Sequence, residues 1–386
     1  MKGFQTFLTF LLPTKIILGL GCRRLLGQEA KSFGKRALVL CSKSVSEQSE
    51  LLQPLLQSLT EVGVAYELYS GCHGEPTTEQ IERGRILAHS LGADVVIGVG
   101  GGSVIDTAKA VAGLSLLPGT VKEYLLGKEV EGTGLPWIAV PTTAGSGAEV
   151  TPNAVLSDPD QQIKTSIRSS QWFAKVALVD PELTLGVPST VTAACGSDAL
   201  CQAIEAYVSI SSSPVTDALA GEAIRRIARS LVKAYCDGQD IVARSDMLYG
   251  SLLAGIALAN ARLGAVHGLA HPIGIRYGIP HGVICGILLP HVMAFNLPWA
   301  LEKYAQIAEW LEQDITSSTE EMALKSVTKV RELLAKIGLP ERLREVGVKR
   351  EDFAFIIERS LPSGSLKHNP RPLDANDLER ILTDAW

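Results

Sequence analysis

Asp94-Val-Val-Ile-Gly-Val-Gly-Gly-Gly-Ser-Val-Ile-Asp-Thr-Ala-Lys109 is the stretch on which the fold turns. The run from Asp94 to Val99 predicts a strand buried on both faces. Gly98-Val-Gly100-Gly101-Gly102-Ser103 then opens a helix carrying Asp106, Lys109 and Ala110. A glycine loop between strand and helix lets a pyrophosphate approach the backbone, and the helix N-terminus offers unpaired amides and partial positive charge. A plain tight turn is the competing reading, and the strand-loop-helix order favours the cradle. Upstream, Ala37 to Leu40 reads as a strand, Ser42-Lys43-Ser44 as a polar turn, and Leu51, Leu52, Leu55, Leu56 and Leu59 as one face of a helix. Ala65 to Tyr69 reads as a strand, Glu75-Pro76-Thr77 as a turn and Glu79 to Leu91 as a helix. Downstream, Trp137 to Val140 and Val176 to Val179 are two more apolar strands. Strands alternating with helices predict a parallel sheet covered on both faces. Pro141-Thr142-Thr143-Ala144-Gly145-Ser146-Gly147-Ala148-Glu149 also follows a strand, and its hydroxyls and amides suit phosphate or ribose.

Beyond Asp180-Pro181 to Pro188 the pattern changes to helical periodicity rich in Ala and Leu, without strand alternation. The 386 residues exceed one comfortable core. The expected division is an α/β dinucleotide-binding domain over 1–187 and an all-α domain over 188–386. Phe4 to Leu20 is apolar enough to suggest a signal segment, but Pro13 and Lys15 interrupt it and no small-residue cleavage motif follows, so a buried strand is expected there. With 46% apolar residues, 20% charged residues and a net charge of −5, the chain lacks both the disorder signature and the basic field of a nucleic-acid binder. A small-molecule partner is expected, with neither nucleic acid nor membrane. Seven scattered cysteines without a C-x-x-C pair point to reduced thiols and a cytoplasmic setting rather than a disulfide framework.

The helical half contains His267-Gly-Leu-Ala-His271-Pro272 and, ten residues on, His281. A buried helix from Leu252 to Val266 would carry the first two imidazoles onward on one face, Pro272 would break it, and Pro280 would deliver His281 from a second segment. Three neutral imidazoles converging in a stretch poor in other titratable groups suggest a metal site for Zn²⁺ or Fe²⁺, whereas an isolated pair would be ordinary structural histidines. On spacing alone, His267 and His271 are the favoured ligands.

Gly100-Gly-Gly-Ser-Val-Ile-Asp-Thr-Ala-Lys109, Pro141-Thr-Thr-Ala-Gly-Ser-Gly147, Val179-Asp-Pro-Glu-Leu183, Asp198-Ala-Leu-Cys-Gln-Ala-Ile-Glu-Ala-Tyr207 and His267-Gly-Leu-Ala-His271 together resemble the iron-containing (group III) alcohol dehydrogenases. The likeness runs from about Leu12 to Arg371. It implies a dehydroquinate synthase-like fold, with an active site in the cleft between a nucleotide domain and a helical metal domain, and a homodimer or larger homo-oligomer. By motif position it implies metal ligands Asp198, Gln202, His267 and His281, with His271 beside nicotinamide and substrate; an imidazole titrating near neutrality there could position substrate or relay the proton, and a hydrogen-bonded histidine lining the cleft is the competing reading. It places Gly100, Gly101, Gly102, Ser103, Asp106, Thr142, Thr143, Ser146, Lys164 and Leu183 near the cofactor. Gln202 departs from the family pattern, which has His there; an amide oxygen is a weaker donor, so looser metal retention is expected, tightened by Gln202→His. Ser42 stands where an acidic residue selects NAD by binding the ribose 2′-hydroxyl, so NAD or NADP is expected, with Lys43 favouring NADP. The implied activity is an NAD(P)-dependent, divalent-metal-dependent oxidoreductase acting on CH–OH groups of small alcohols or aldehydes. The alternatives are a metal-free enzyme resembling maleylacetate reductase, a glycerol dehydrogenase or dehydroquinate synthase-like enzyme, and a non-catalytic nucleotide-binding protein.

Overall fold

Val95-Val96-Ile97 and Ile138-Ala139-Val140 are fully buried, as apolar runs covered on both faces must be. A computed structural model describes residues 8–311 and 318–386, and there these runs form the middle of a six-stranded parallel sheet. The strands are β1 (Lys15–Leu18), β2 (Arg36–Ser42), β3 (Ala65–Cys72), β4 (Val95–Gly100), β5 (Trp137–Pro141), β6 (Asn153–Asp158), β7 (Ile163–Arg168) and β8 (Val176–Val179). The sheet order is β1-β8-β5-β4-β2-β3, all pairs parallel, while β6 and β7 form a separate antiparallel hairpin. From β2 the chain steps to β3 on one side and then returns to β4 on the other. That reversal opens a crevice at the carboxyl ends of β2 and β4, where open α/β sheets bind ligands.

One face of the sheet packs Val39, Ile97, Val99, Ile138 and Leu178 against Leu26, Leu55 and Leu59. At about 25 cal/mol per Å² of apolar surface, each such fully buried side chain contributes roughly 1.5–3 kcal/mol before its entropy cost. The expected long buried strand from Phe4 to Leu20 is not what forms. Residues 4–7 lie outside the described residues, 8–14 hold no strand, and β1 is four residues long with exposed ends. Pro13 lacks the N–H a ladder needs, which delays pairing until Lys15.

By internal packing the chain divides into two compact units. One is Pro13–Cys195 with Lys233–Tyr249; the other is a short stretch up to Leu12, Gly196–Val232 and Gly250–Trp386. These units interleave along the chain, whereas the expected division at 187 and 188 is linear. Arg244 supplies the physical reason, because its buried guanidinium donates to Thr192 Oγ1 at 2.8 Å, Val187 O at 2.9 Å and Gly238 O at 3.0 Å.

The second unit is helical, and no strand occurs after Val179 among the described residues. Ile241–Ala261 and His281–Trp299 are long and apolar enough to cross a membrane, but 72% of each apolar window is buried within the protein, as in core helices. The single helix expected through Leu252 to Val266 is two: Ile241–Ala261 ends, Arg262 takes φ 70°, and a new helix begins at Ala265. That helix runs Ala265–Tyr277 with Pro272 inside it, so Pro272 does not break it as expected. Pro272 and its neighbour Ile273 are buried, and packing holds the helix through the lost backbone bond. Pro280 does precede a helix, His281–Asn296, as its N-cap.

Candidate functional site

In the sheet unit, the predicted cofactor residues gather at the carboxyl ends of neighbouring strands. Gly100 pairs with Pro141 across β4 and β5, and Thr142 N donates to Gly100 O at 2.9 Å. The two polar loops face each other closely: a Cβ on Gly101 would lie 3.1 Å from Thr143 Oγ1, and one on Gly102 2.5 Å from Ser146 Oγ. Side chains at these two glycines would fill the space between the loops, at the N-terminus of the helix Gly102–Leu114. Ser103 is the exposed second residue of that helix. Ser42, ending β2 next to β4, caps the short helix Lys43–Ser46 by accepting from Val45 N at 3.3 Å. The polar turn expected at 42–44 is therefore a capped helical turn, with Lys43 82% exposed and 3.8 Å from Glu47.

Three of the expected residues belong to other elements. Asp106 accepts from Val155 N at 2.9 Å through one oxygen and pairs with Lys109 Nζ at 3.4 Å through the other. Lys164, on β7, pairs with Glu75 at 2.9 Å, and Leu183 is buried in the turn following Asp180. Asp106 thus ties the glycine-loop helix to the β6–β7 hairpin, which the sequence pattern did not anticipate.

Glu149, at the end of the second loop, is 3% exposed. Burial pushes its carboxyl from 4.5 up to about 7, against the pull of its own backbone amide and of Lys109. A folded-state value above the unfolded one means the stability contribution is complete below pH 4.5 and is lost as pH rises through about 7. Glu149→Gln is therefore expected to be more stable than the parent at pH 8 by about 3 kcal/mol, at about 1.4 kcal/mol per pH unit, and equal to it near pH 4. Urea denaturation at the two pH values measures the difference; equal stability at pH 8 would refute a strained carboxylate.

In the helical unit, Asp198, His267 and His281 come together from three helices. Ser189–Val208 carries Asp198, Gln202 and Glu205 at i, i+4 and i+7, hence on one face. Glu205 is the anchor that positions the second helix. Its Oε1 accepts from Val266 N at 2.7 Å, satisfying an otherwise unpaired helix N-terminus, and its Oε2 accepts from His267 Nδ1 at 2.6 Å. That bond fixes the imidazole so that Nε2 points at Asp198 Oδ1, 3.3 Å away. His281 Nε2 stands 3.7 Å from the same oxygen. Gln202 Nε2 donates to Asp198 Oδ2 at 2.9 Å, and its own Oε1 is buried without a partner. Cys285, one turn after His281, places Sγ 3.5 Å from His281 Nε2. One donor atom from each of Asp198, His267, His281 and Cys285 lies within 4.8 Å of the others. His271 is outside this set, and its ring stacks on His281 with centroids 5.2 Å apart and planes 12° from parallel.

The charges suit a cation. Burial opposes the ionised form of every member, yet the His267 imidazole is raised well above its ordinary value by the surrounding Cys285, Glu205 and Asp198, and His281 is raised by Cys285 and Asp198. Burial would raise Asp198, but the two histidines and Gln202 hold it below its usual range. A buried cluster that draws protons onto two imidazoles is electronegative, and its imidazole, carboxylate and thiol donors are the types that hold a divalent transition metal. The residues present therefore fit such an ion. Reading from sequence missed Glu205, although it stands within the Asp198 to Tyr207 motif at the i+7 position, and it missed Cys285, four residues after His281.

Residues 13–181 match the family model described as iron-containing alcohol dehydrogenase, and residues 192–386 the one described as Fe-containing alcohol dehydrogenase family, C-terminal. The chain is 36% identical over 380 residues to the 1,3-propanediol dehydrogenase of Klebsiella pneumoniae, spanning 98% of each chain. It is 32% identical over 377 residues to the NAD-dependent methanol dehydrogenase of Bacillus methanolicus, spanning 97% of this chain and 99% of the other. The solved structure of a 1,3-propanediol oxidoreductase matches with a TM-score of 0.95 at 36% identity, over 98% of this chain and 100% of that one.

Proposed function

Because the chain belongs to the iron-containing alcohol dehydrogenase family, we propose that it transfers hydride between a nicotinamide cofactor and a small alcohol or aldehyde, using a divalent metal held by Asp198, His267 and His281. It is an NAD(P)-dependent oxidoreductase acting on CH–OH groups. The observation that carries the metal assignment is the convergence of both imidazole Nε2 atoms on Asp198 Oδ1, at 3.3 and 3.7 Å. When bound, the ion supplies Lewis-acid polarisation of the substrate oxygen, and the nicotinamide supplies or accepts hydride. Glu205 holds His267 in the tautomer that presents Nε2 to the site. Gln202 steadies the Asp198 carboxylate through Oδ2. His271, stacked on His281, is the group we assign to move the alcohol proton toward solvent.

The glycine loop after β4 and the Thr142 to Ser146 loop are the proposed cradle for the cofactor pyrophosphate, with Ser42 facing the ribose. No carboxylate ends β2 to repel a 2′-phosphate, and Lys43 is exposed nearby, so NADP(H) is accepted and favoured. Ser42→Asp is expected to move the ratio of kcat/KM values toward NAD(H) by at least about tenfold, the factor that about 1.4 kcal/mol of charge repulsion supplies. An unchanged ratio would remove Ser42 from the ribose site.

The chain works in the cytoplasm as a homodimer on this reading. Seven free thiols suit a reducing compartment. The outer edge of β1 bonds to no other strand among the described residues, and Leu18 at its end and Leu20 just beyond it are exposed, a surface suited to a second copy. The testing experiment measures metal content by mass spectrometry on protein purified without chelator, with NADH and NADPH oxidation across a panel of small aldehydes before and after adding Zn²⁺ or Fe²⁺. Near-stoichiometric metal and metal-dependent turnover support the proposal. Turnover without metal would support the metal-free reductase instead, and a protein inactive in all conditions would return the non-catalytic alternative.

A further inference from the structure

Resting on the metal site proposed above, we infer that Cys285 Sγ, rather than Gln202 Oε1, is its fourth protein donor, and that the resulting Asp-His-His-Cys set prefers Zn²⁺ to Fe²⁺. Donors about 2.0–2.3 Å from a tetrahedral Zn²⁺ stand about 3.3–3.6 Å from one another. The edges Asp198 Oδ1–His267 Nε2, Asp198 Oδ1–His281 Nε2 and His281 Nε2–Cys285 Sγ measure 3.3, 3.7 and 3.5 Å. Asp198 Oδ1 and His281 Nε2 each belong to two of those edges, and the remaining separations, those from Cys285 Sγ to Asp198 and His267 included, lie within 4.8 Å, so the sulfur stands within reach of a shared ion.

Gln202 lies on the other side of the carboxylate. Its amide nitrogen is committed to Oδ2, while the imidazoles converge on Oδ1. It acts as a positioning residue for Asp198. Cys201 is the other thiol nearby and hydrogen-bonds with Cys285, but the imidazole nitrogen it faces, at 3.9 Å, is His267 Nδ1, which is turned toward Glu205, while Nε2 is the atom directed at Asp198. His281 and Cys285 share one face of the helix His281–Asn296, so a single rigid element delivers two donors. A side chain on one helix thus supplies what the Gln202 position on another withholds. Thiolate is the softest donor in the set, and soft donors shift preference from Fe²⁺ toward Zn²⁺.

Cobalt reports the donors directly. Co²⁺ added to metal-free protein is expected to give visible ligand-field bands together with a near-ultraviolet thiolate-to-cobalt charge-transfer band. Cys285→Ser should keep the visible bands and lose the near-ultraviolet one, whereas Cys201→Ser and Gln202→Ala should keep both. Cadmium NMR on the unmutated protein gives the same answer without a variant that must fold, since one thiolate moves the resonance well downfield of a nitrogen-oxygen site. Visible bands without charge transfer, or a charge-transfer band that survives Cys285→Ser and vanishes in Cys201→Ser, would overturn the inference and leave the metal site standing. A protein that yields no cobalt spectrum at all would overturn both.

Discussion

Asp198→Asn should leave the protein folded and strip it of both metal and activity. Asp198 is 7% exposed, and its Oδ1 is the point on which both imidazoles converge. Asparagine has nearly the same shape but no charge, and it offers either a neutral oxygen or an amide N–H toward the ion. Losing the carboxylate on which both imidazoles converge should lower metal affinity by about a thousandfold, since each 1.4 kcal/mol is a factor of ten and removing one partner of a buried charge pair costs about 3–5 kcal/mol. The kcat/KM for aldehyde reduction should fall by a similar factor or more. Metal content after dialysis, paired with steady-state kinetics, reads both losses on one sample. His271→Ala separates binding from proton movement, because His271 stands outside the donor cluster. It should retain metal while losing about 10²–10⁴ in kcat, the usual contribution of a positioned acid or base. If Asp198→Asn kept its metal, the assignment of the cluster would fail. If His271→Ala lost metal as well, the relay would be a structural histidine.

Most of the sheet was legible because its signals are local. β4 and its glycine loop, the helix Thr78–Leu91 after Thr77, β5 and β8 each announce themselves by an apolar run or a cap within a few residues. The hairpin was not legible. β6 and β7, Asn153-Ala-Val-Leu-Ser-Asp158 and Ile163-Lys-Thr-Ser-Ile-Arg168, are short and half polar, and they pair with each other outside the main sheet. β6 is held in addition by a non-local partnership, Val155 N with Asp106 and Asn153 O with Lys109. The metal cluster divides the same way. Asp198, His267 and His281 were reached through a motif, whereas Cys285 read as one of seven scattered thiols. Its nearness to Asp198 exists only once the two helices pack, 87 residues of sequence apart. Helix ends also depended on tertiary partners: the start at Ala265 is satisfied by Glu205 and Asn369, side chains the local sequence gives no hint of.

Lys109→Met is expected to destabilise the sheet unit strongly, although the side-chain hydrogen bonds of Lys109 go to Asp106, Thr151 and Asn153 rather than to either proposed binding loop. Its ammonium is completely buried, donates to Asn153 O at 2.6 Å and Thr151 Oγ1 at 3.0 Å, and pairs with Asp106 at 3.4 Å. Trp137 lies beneath it at 5.7 Å. Burial pulls the lysine down toward neutrality and pushes Asp106 up, with the attraction between them opposing both shifts. Removing the cation leaves the largely buried Asp106 carboxylate uncompensated and takes a donor from Asn153 O and from Thr151 Oγ1, which keeps its bond to Ala148 O, a loss of about 3–5 kcal/mol. Denaturant unfolding at pH 7 measures it. The deficit should narrow in acid, because without Lys109 the Asp106 carboxyl is raised further and the folded state gains by binding its proton. Asp106→Asn keeps an acceptor for Val155 N, so the double variant Asp106→Asn/Lys109→Met should cost less than the sum of the singles, by about 1–3 kcal/mol of coupling. Strict additivity would mean the two groups do not interact and that the lysine acts through its packing alone. Because this pair ties the helix Gly102–Leu114 to the hairpin, the single variants should also weaken nicotinamide binding, and the double variant should restore much of it. Recovery of stability without recovery of binding would show that the charges, beyond the packing they permit, set the position of the glycine loop.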